Sequence, residues 1–214
     1  MRPWQHALSS IRGTERHWTR DLDIHEFMDS TKGASADRRH RFALHSADLG
    51  SEIVERAFSD RPEARTVALK HVEEDLGYHC PLADWLALVN LSDWPRPLSR
   101  RLDASRTEII EMVLARNGRN IELEIGSVYD FLMLPLQYSG NHQLAGYGVL
   151  MNSFGLTLTR RVFGPPIELA DSRAIVDFGA IAESIIFAMF GRIPCFGEMT
   201  GNIVREPGAK HDVE

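Results

Sequence analysis

An apolar frame in the first half of this 214-residue chain returns in the second half without its ionisable groups, and nothing else in the sequence constrains the fold as much. The first half reads Ile24-His25-Glu26-Phe27, then Asp29-Ser30-Thr31-Lys32, then Asp37 to Arg41 with His45, and later His71 to Gly77. The second reads Val128-Tyr129-Asp130-Phe131, then Met133 to Leu136, and later Ile185 to Gly191. Gly50 and Phe58 recur as Gly155 and Phe163, with eight residues' separation in both halves. Asp75-Leu76-Gly77 recurs as Met189-Phe190-Gly191. Each glycine is followed by a proline, Pro81 or Pro194, and then by an acid beside a large apolar residue, Asp84-Trp85 or Glu198-Met199. Self-similarity of this kind marks a repeated unit. The expectation is an all-α protein: two tandem helical repeats packed as a pseudo-dimer, the first polar and the second degenerate. Residues 1–90 form the first, 91–104 a linker, 105–204 the second and 205–214 a polar tail.

Local signals fill in that frame. Trp4 to Ile11 reads as a short amphipathic helix, and Leu22 to Thr31 as a second with Asp21 as its N-cap. Ala36 to Phe58 carries apolar residues at helical spacing and reads as one long helix. Pro62 suits the first turn of the next helix, and Gly77 its C-terminal stop. Pro81 then opens Leu82 to Val89. The segment 91–104 holds two prolines and three arginines, as linkers do. Ser105 and Glu108 form a capping box for a helix from Ile109 to Arg116, ended by Gly118. Ile121 to Ile125 alternates apolar and polar residues and reads as a short strand. Val128–Gln137, Gln143–Phe163, Ser172–Phe190 and Phe196–Ile203 complete the second helical set.

Net charge is −6, so the bulk electrostatic footprint of a nucleic-acid binder is absent. Arg38, Arg39 and Arg41 make a local basic patch, whose plain reading is a solvated helix face. Two cysteines, Cys80 and Cys195, are too few for a disulfide framework and fit a reducing compartment. The first ten residues lack the apolar stretch of a secretory signal. The most apolar segment, Ala180 to Phe190, is about half a membrane span and contains Glu183. A cytoplasmic protein with no membrane partner is expected.

Seven of the nine histidines lie before residue 80, which places any site in the first half. On a helix, residues three, four or seven apart share a face. His25, Asp29 and Lys32 form one polar stripe. Asp37, Arg41, His45 and Asp48 form a second, and His71 and Asp75 a third beside Glu74. Imidazole and carboxylate from three helices suit a divalent metal such as zinc, manganese or iron. The candidate ligands are His25, Asp29, Asp37, His45, His71 and Asp75, and a bound ion would activate water for hydrolysis. Lys32, Arg39 and Arg41 are candidates to hold a small anionic ligand. Two other readings stand beside these. The stripes can be a buried polar network that only orients helices, and the protein a non-enzymatic interaction or phage-related structural factor with a protein partner. Neither HExxH nor a paired acid-x-x-His set is present. His79-Cys80 reads as a chance neighbour pair, Ser30 lacks a nucleophile-elbow context, and Gly140, Gly146 and Gly148 do not form a phosphate loop.

Residues 4–90 resemble a family of small helical proteins of unknown function from bacteria and their phages. The motifs are His6-Ala-Leu-Ser-Ser10, Asp29-Ser-Thr-Lys32, Arg39-His-Arg41 with His45, and His71-Val-Glu-Glu-Asp75-Leu-Gly77 ahead of Asp84-Trp85. Gly77 and Pro81 stand one residue further apart than in the family's pattern. The second half is similar through Met151-Asn-Ser-Phe-Gly155, Phe163-Gly164 and Gly191-Arg-Ile-Pro194, with Met151 where the family usually has a histidine. The resemblance implies no activity.

Overall fold

The computed structural model describes residues 2–12, 17–33, 40–90, 101–117, 121–169, 175–200 and 202–203. Asp37, Arg38 and Arg39, residues 91–100 of the expected linker 91–104, residue 204 and the expected tail 205–214 lie outside these. The fold is all-α, with two short antiparallel strand pairs. In chain order the helices are α1 (Pro3–Ser10), α2 (Thr19–Asp29), α3 (Arg41–Leu44), α4 (Leu49–Ala57), α5 (Ala64–Leu76) and α6 (Leu82–Leu86). They continue as α7 (Arg106–Asn117), α8 (Glu122–Leu132), α9 (Pro135–Tyr138), α10 (Gln143–Leu150), α11 (Ser153–Phe163), α12 (Phe178–Phe190) and α13 (Phe196–Thr200). A 3-10 turn, Ser30–Gly33, extends α2.

The first-half helices form one set of packings. α1 lies on α2 and α5, α2 packs on α4 and α5, α4 packs on α5, and α3 packs on α4 and α6. In the second half α7 lies on α8 and α12, α8 packs on α11 and α12, α11 packs on α12, and α10 packs on α11 and α13. The halves meet through α4 on α11 and α3 on α10. β1 (Val89–Asn90) and β4 (Asn202–Ile203), one following α6 and the other α13, pair antiparallel. β2 (Ile167–Glu168) and β3 (Ile175–Val176) form the other pair. One apolar core runs through both halves, from Ile24 to Met199.

Several particulars recur. Phe27 meets Phe58 edge-on at 5.6 Å and 79°, and Phe131 meets Phe163 at 5.7 Å and 82°. α5 and α12 are both 13 residues long and end on left-handed glycines, Gly77 at φ 79° and Gly191 at φ 72°. A Cβ on Gly50 would stand 2.4 Å from the Leu44 carbonyl oxygen, and one on Gly155 would stand 1.7 Å from that of Leu150. Only glycine lets each of these helices press against the end of the preceding one.

Some local expectations fail for identifiable reasons. Asp21 is no cap: it is fully buried in the first turn of α2, 3.4 Å from Arg61. The run from Ala36 to Phe58 is not one helix, because it breaks between Leu44 and Leu49. Asp48 leaves its polar stripe to accept hydrogen bonds from Leu49 N (2.8 Å) and Leu82 N (2.9 Å), tying the starts of α4 and α6 together. Gln143–Phe163 breaks likewise, where Asn152 caps α11 through Phe154 N and Gly155 N. Ile121–Ile125 is helical instead of a strand, since Ile125, Val128 and Tyr129 recur at helical spacing and are buried together. Between Leu169 and Phe178, Ile175 and Val176 pair as a strand, and α12 starts later than expected. The Ser105–Glu108 capping box is present, with Glu108 accepting from Ser105 N at 2.7 Å. No helix among the described residues is long and apolar enough to cross a membrane.

Candidate metal centre

Three helix segments and one helix end bring the polar stripes together. His25 and Asp29 lie one turn apart on α2, and His71 and Asp75 one turn apart on α5, so each pair shares a helix face. His45 follows the last residue of α3, where the backbone turns out of the helix (φ −104°, ψ 16°). The close approach allowed by Gly50 folds that turn back against α4, and His45 enters the interior fully buried. α1 crosses α2 and α5 and adds His6, also fully buried.

The two imidazole nitrogens His71 Nε2 and His45 Nε2 stand 3.2 Å apart. His45 Nε2 is 3.4 Å from Asp75 Oδ2 and 3.9 Å from Asp29 Oδ1. His71 Nε2 is 3.6 Å from Asp29 Oδ1 and 3.8 Å from Asp75 Oδ2. Four donors thus surround one point. Ligands about 2.0–2.1 Å from a tetrahedral zinc stand roughly 3.3–3.4 Å from one another. Lys32 Nζ reaches Asp29 Oδ1 at 2.7 Å from the solvent side, and Asp29 Oδ2 has no hydrogen-bond partner among the described residues. Arg41 Nη2 stands 3.9 Å from Asp75 Oδ2.

Behind these four is a second layer. His25 Nδ1 and His71 Nδ1 share a hydrogen bond of 2.8 Å, and Ser10 Oγ lies 3.0 Å from His25 Nε2. An ion on His71 Nε2 would fix the tautomers along this chain. The proton would sit on His71 Nδ1 and be donated to His25 Nδ1, and His25 Nε2–H would be donated to Ser10. On the other side His6 Nδ1 lies 2.6 Å from Glu74 Oε2, and His6 Nε2 lies 3.1 Å from Asp75 Oδ1.

The electrostatics suit a cation. Burial, then His71 and His6, push the His25 imidazole down to about 3. Burial likewise takes His71 down to about 4 and lowers His45. Burial opposes ionisation of Asp29, but His71 and Lys32 outweigh it and hold the carboxyl at about 2. Burial also opposes ionisation of Asp75, and hydrogen bonding with His45 and His6 outweighs it, well below the usual carboxylate range. His6 is the exception: burial disfavours its charge, but Asp75 and Glu74 raise it. At neutral pH His25, His45 and His71 are therefore uncharged and both aspartates ionised, the protonation states that metal ligands need.

Of the sequence-derived candidates, His25, Asp29, His45, His71, Asp75, Lys32 and Arg41 meet in one place. Asp37 and Arg39 lie outside the described residues. His25 stands one layer back, on His71, instead of beside His45. Glu74, which the sequence places beside the third stripe, takes part as well, and so do His6 and Ser10, which stand outside the candidate set. Their signal was the four-residue spacing of His6 and Ser10, which gives both one helix face. His79 and Cys80 form no reactive pair: Cys80 is buried and its thiol is pushed up to about 11 by burial.

No curated protein and no solved structure matches the chain. A family described as a domain of unknown function, DUF6915, covers residues 1–95, the stretch that supplies every side chain of this cluster.

Proposed function

We propose that residues 1–95 form a metal-binding domain whose ion is held by Asp29, His45, His71 and Asp75. The observation that carries this is the spacing: five of the six donor separations run from 3.2 to 3.9 Å and all lie within 4.8 Å, near the edges of a zinc tetrahedron. The same imidazole and carboxylate donors suit manganese or iron less tightly fitted. Lys32 and Arg41, each beside a ligand carboxylate, would neutralise an anionic substrate, and a water taken as a fifth ligand of the ion would be the nucleophile for hydrolysis.

The second half is, in this reading, a degenerate copy of the first, and the two copies (residues 1–90 and 105–204) pack as a pseudo-dimer. Its support is the matched helix order, the matched phenylalanine pairs and the paired close glycines. Met151, Ile185 and Met189 then take the places of His45, His71 and Asp75, and all three are buried in the core. Both cysteines are free, which fits the cytoplasm.

Elemental analysis of the full chain, purified without a histidine tag, tests the reading. We expect at least one zinc or other divalent transition metal per chain, and a cobalt-substituted form with the intense visible bands of a tetrahedral ion. Protein that holds no ion, and whose melting temperature ignores chelators, would make the cluster a polar network and favour the interaction-protein reading.

A further inference from the structure

His71 has two nitrogens, and the four-donor site uses only Nε2. The other, Nδ1, belongs to a second group. His6, His25 and His71 each offer a ring nitrogen within 4.8 Å of the others. All three side chains are fully buried. Glu74 holds His6 Nδ1 at 2.6 Å, the carboxylate–histidine pairing that turns the other ring nitrogen toward a metal. That nitrogen, His6 Nε2, stands 3.1 Å from Asp75 Oδ1, a contact that an ion would replace.

The rings are also spaced for an ion. An imidazole bound at about 2.1 Å puts its ring centre roughly 3.2 Å from a metal, so two rings at a tetrahedral angle have centres about 5.2 Å apart. His25 and His71 are 5.1 Å apart by ring centre, and His6 and His25 are 5.5 Å apart. His6 and His71 are stacked, at 4.1 Å and 30° between planes, so His6 would have to move off by about 1 Å and turn its edge toward the ion.

We propose that a second divalent transition-metal ion binds among His6, His25 and His71, so that His71 bridges two ions through its two ring nitrogens. The second ion takes the place of the one proton that lies between His25 Nδ1 and His71 Nδ1, and that proton is released to solvent. His71 then bridges as an imidazolate. Three protein donors leave this ion a fourth position for water. This inference rests on the first ion being bound, since that ion fixes the role of His71 Nε2.

The test is metal stoichiometry and coupling in the full chain. Metal-free protein is titrated with zinc, separated from free ion, and analysed for zinc per chain. We expect two ions in the wild type and one in His6→Ala and in His6→Gln, the glutamine variant preserving side-chain bulk where alanine fails to fold. Loaded with copper(II), the wild type should lose much of its paramagnetic resonance intensity through coupling across the bridge, and His6→Gln should show the full signal of one isolated ion. A single ion per wild-type chain, abolished by Asp29→Asn and untouched by His6→Gln, overturns the second site and leaves the first standing. No ion at all overturns both.

Discussion

Helices α5 and α12 have the same length and the same left-handed glycine at their ends, yet one carries His71 and Asp75 where the other carries Ile185 and Met189. Around α5, buried charge and imidazole are offset by partners on α1, α2 and α3. Around α12 the equivalent volume is filled by hydrocarbon: Ile185 is fully buried and Met189 nearly so. On the proposal that the second half is a copy of the first, this helix frame does not need a polar interior. Replacing a buried ion network by apolar groups is often neutral or stabilising. On that proposal, a network kept in the first half alone is better explained by what it binds than by what it holds up.

The comparison breaks most violently if the second half is given one charge from the first. Met189→Asp buries a carboxylate among Ile185, Ile186 and their apolar neighbours, and should cost about 3–5 kcal/mol. Denaturant unfolding measures it. A loss under about 1 kcal/mol would mean that the second half retains polar partners for that position.

The converse change makes the first half resemble the second. His71→Ile should abolish metal binding and remove the chelator-sensitive part of stability, about 2.7 kcal/mol with free metal at 100 times its Kd. The variant should melt close to chelated wild type, with or without metal. If it melts far below that level, the histidine is chiefly a structural member.

The glycines sharpen the comparison. Gly50→Ala and Gly155→Ala each force a Cβ onto a carbonyl oxygen and should cost about 1–3 kcal/mol. Only Gly50→Ala should also weaken metal binding, because the turn it displaces carries His45. Calorimetric titration with zinc on both variants checks this, and equal affinities would disconnect the turn from the site.

The smallest effect lies at the seam between the halves, where the Tyr138 hydroxyl donates to the Glu52 carboxylate. Tyr138→Phe should cost about 1.5 kcal/mol at neutral pH. Burial raises the Glu52 pKa, but Tyr138 and Arg56 outweigh it, so the folded pKa lies below the unfolded one. The stabilisation is complete above the unfolded pKa and disappears as pH falls through the folded one. Wild-type and Tyr138→Phe stabilities should converge in acid, and a gap that persists at low pH would place the effect in packing.

Much of this was legible in the residues. The stops at Gly77 and Gly191, the Ser105 box and the grouping of His25, Asp29, His45, His71 and Asp75 all follow from local spacing. The breaks at His45 and Met151 did not, because apolar periodicity runs on through them and the interruption depends on how closely a carbonyl packs against a glycine five or six residues later. His6 was overlooked because nothing within α1 says which helices it will cross.

By itself the sequence determined helix, face and polarity, since these depend on spacings of three to four residues and on residues that end or cap a helix. Tertiary structure alone decided that His71 faces two ways, with Nδ1 toward α2 and Nε2 toward His45, because a ring's two nitrogens find different partners only when three separate segments are packed around it.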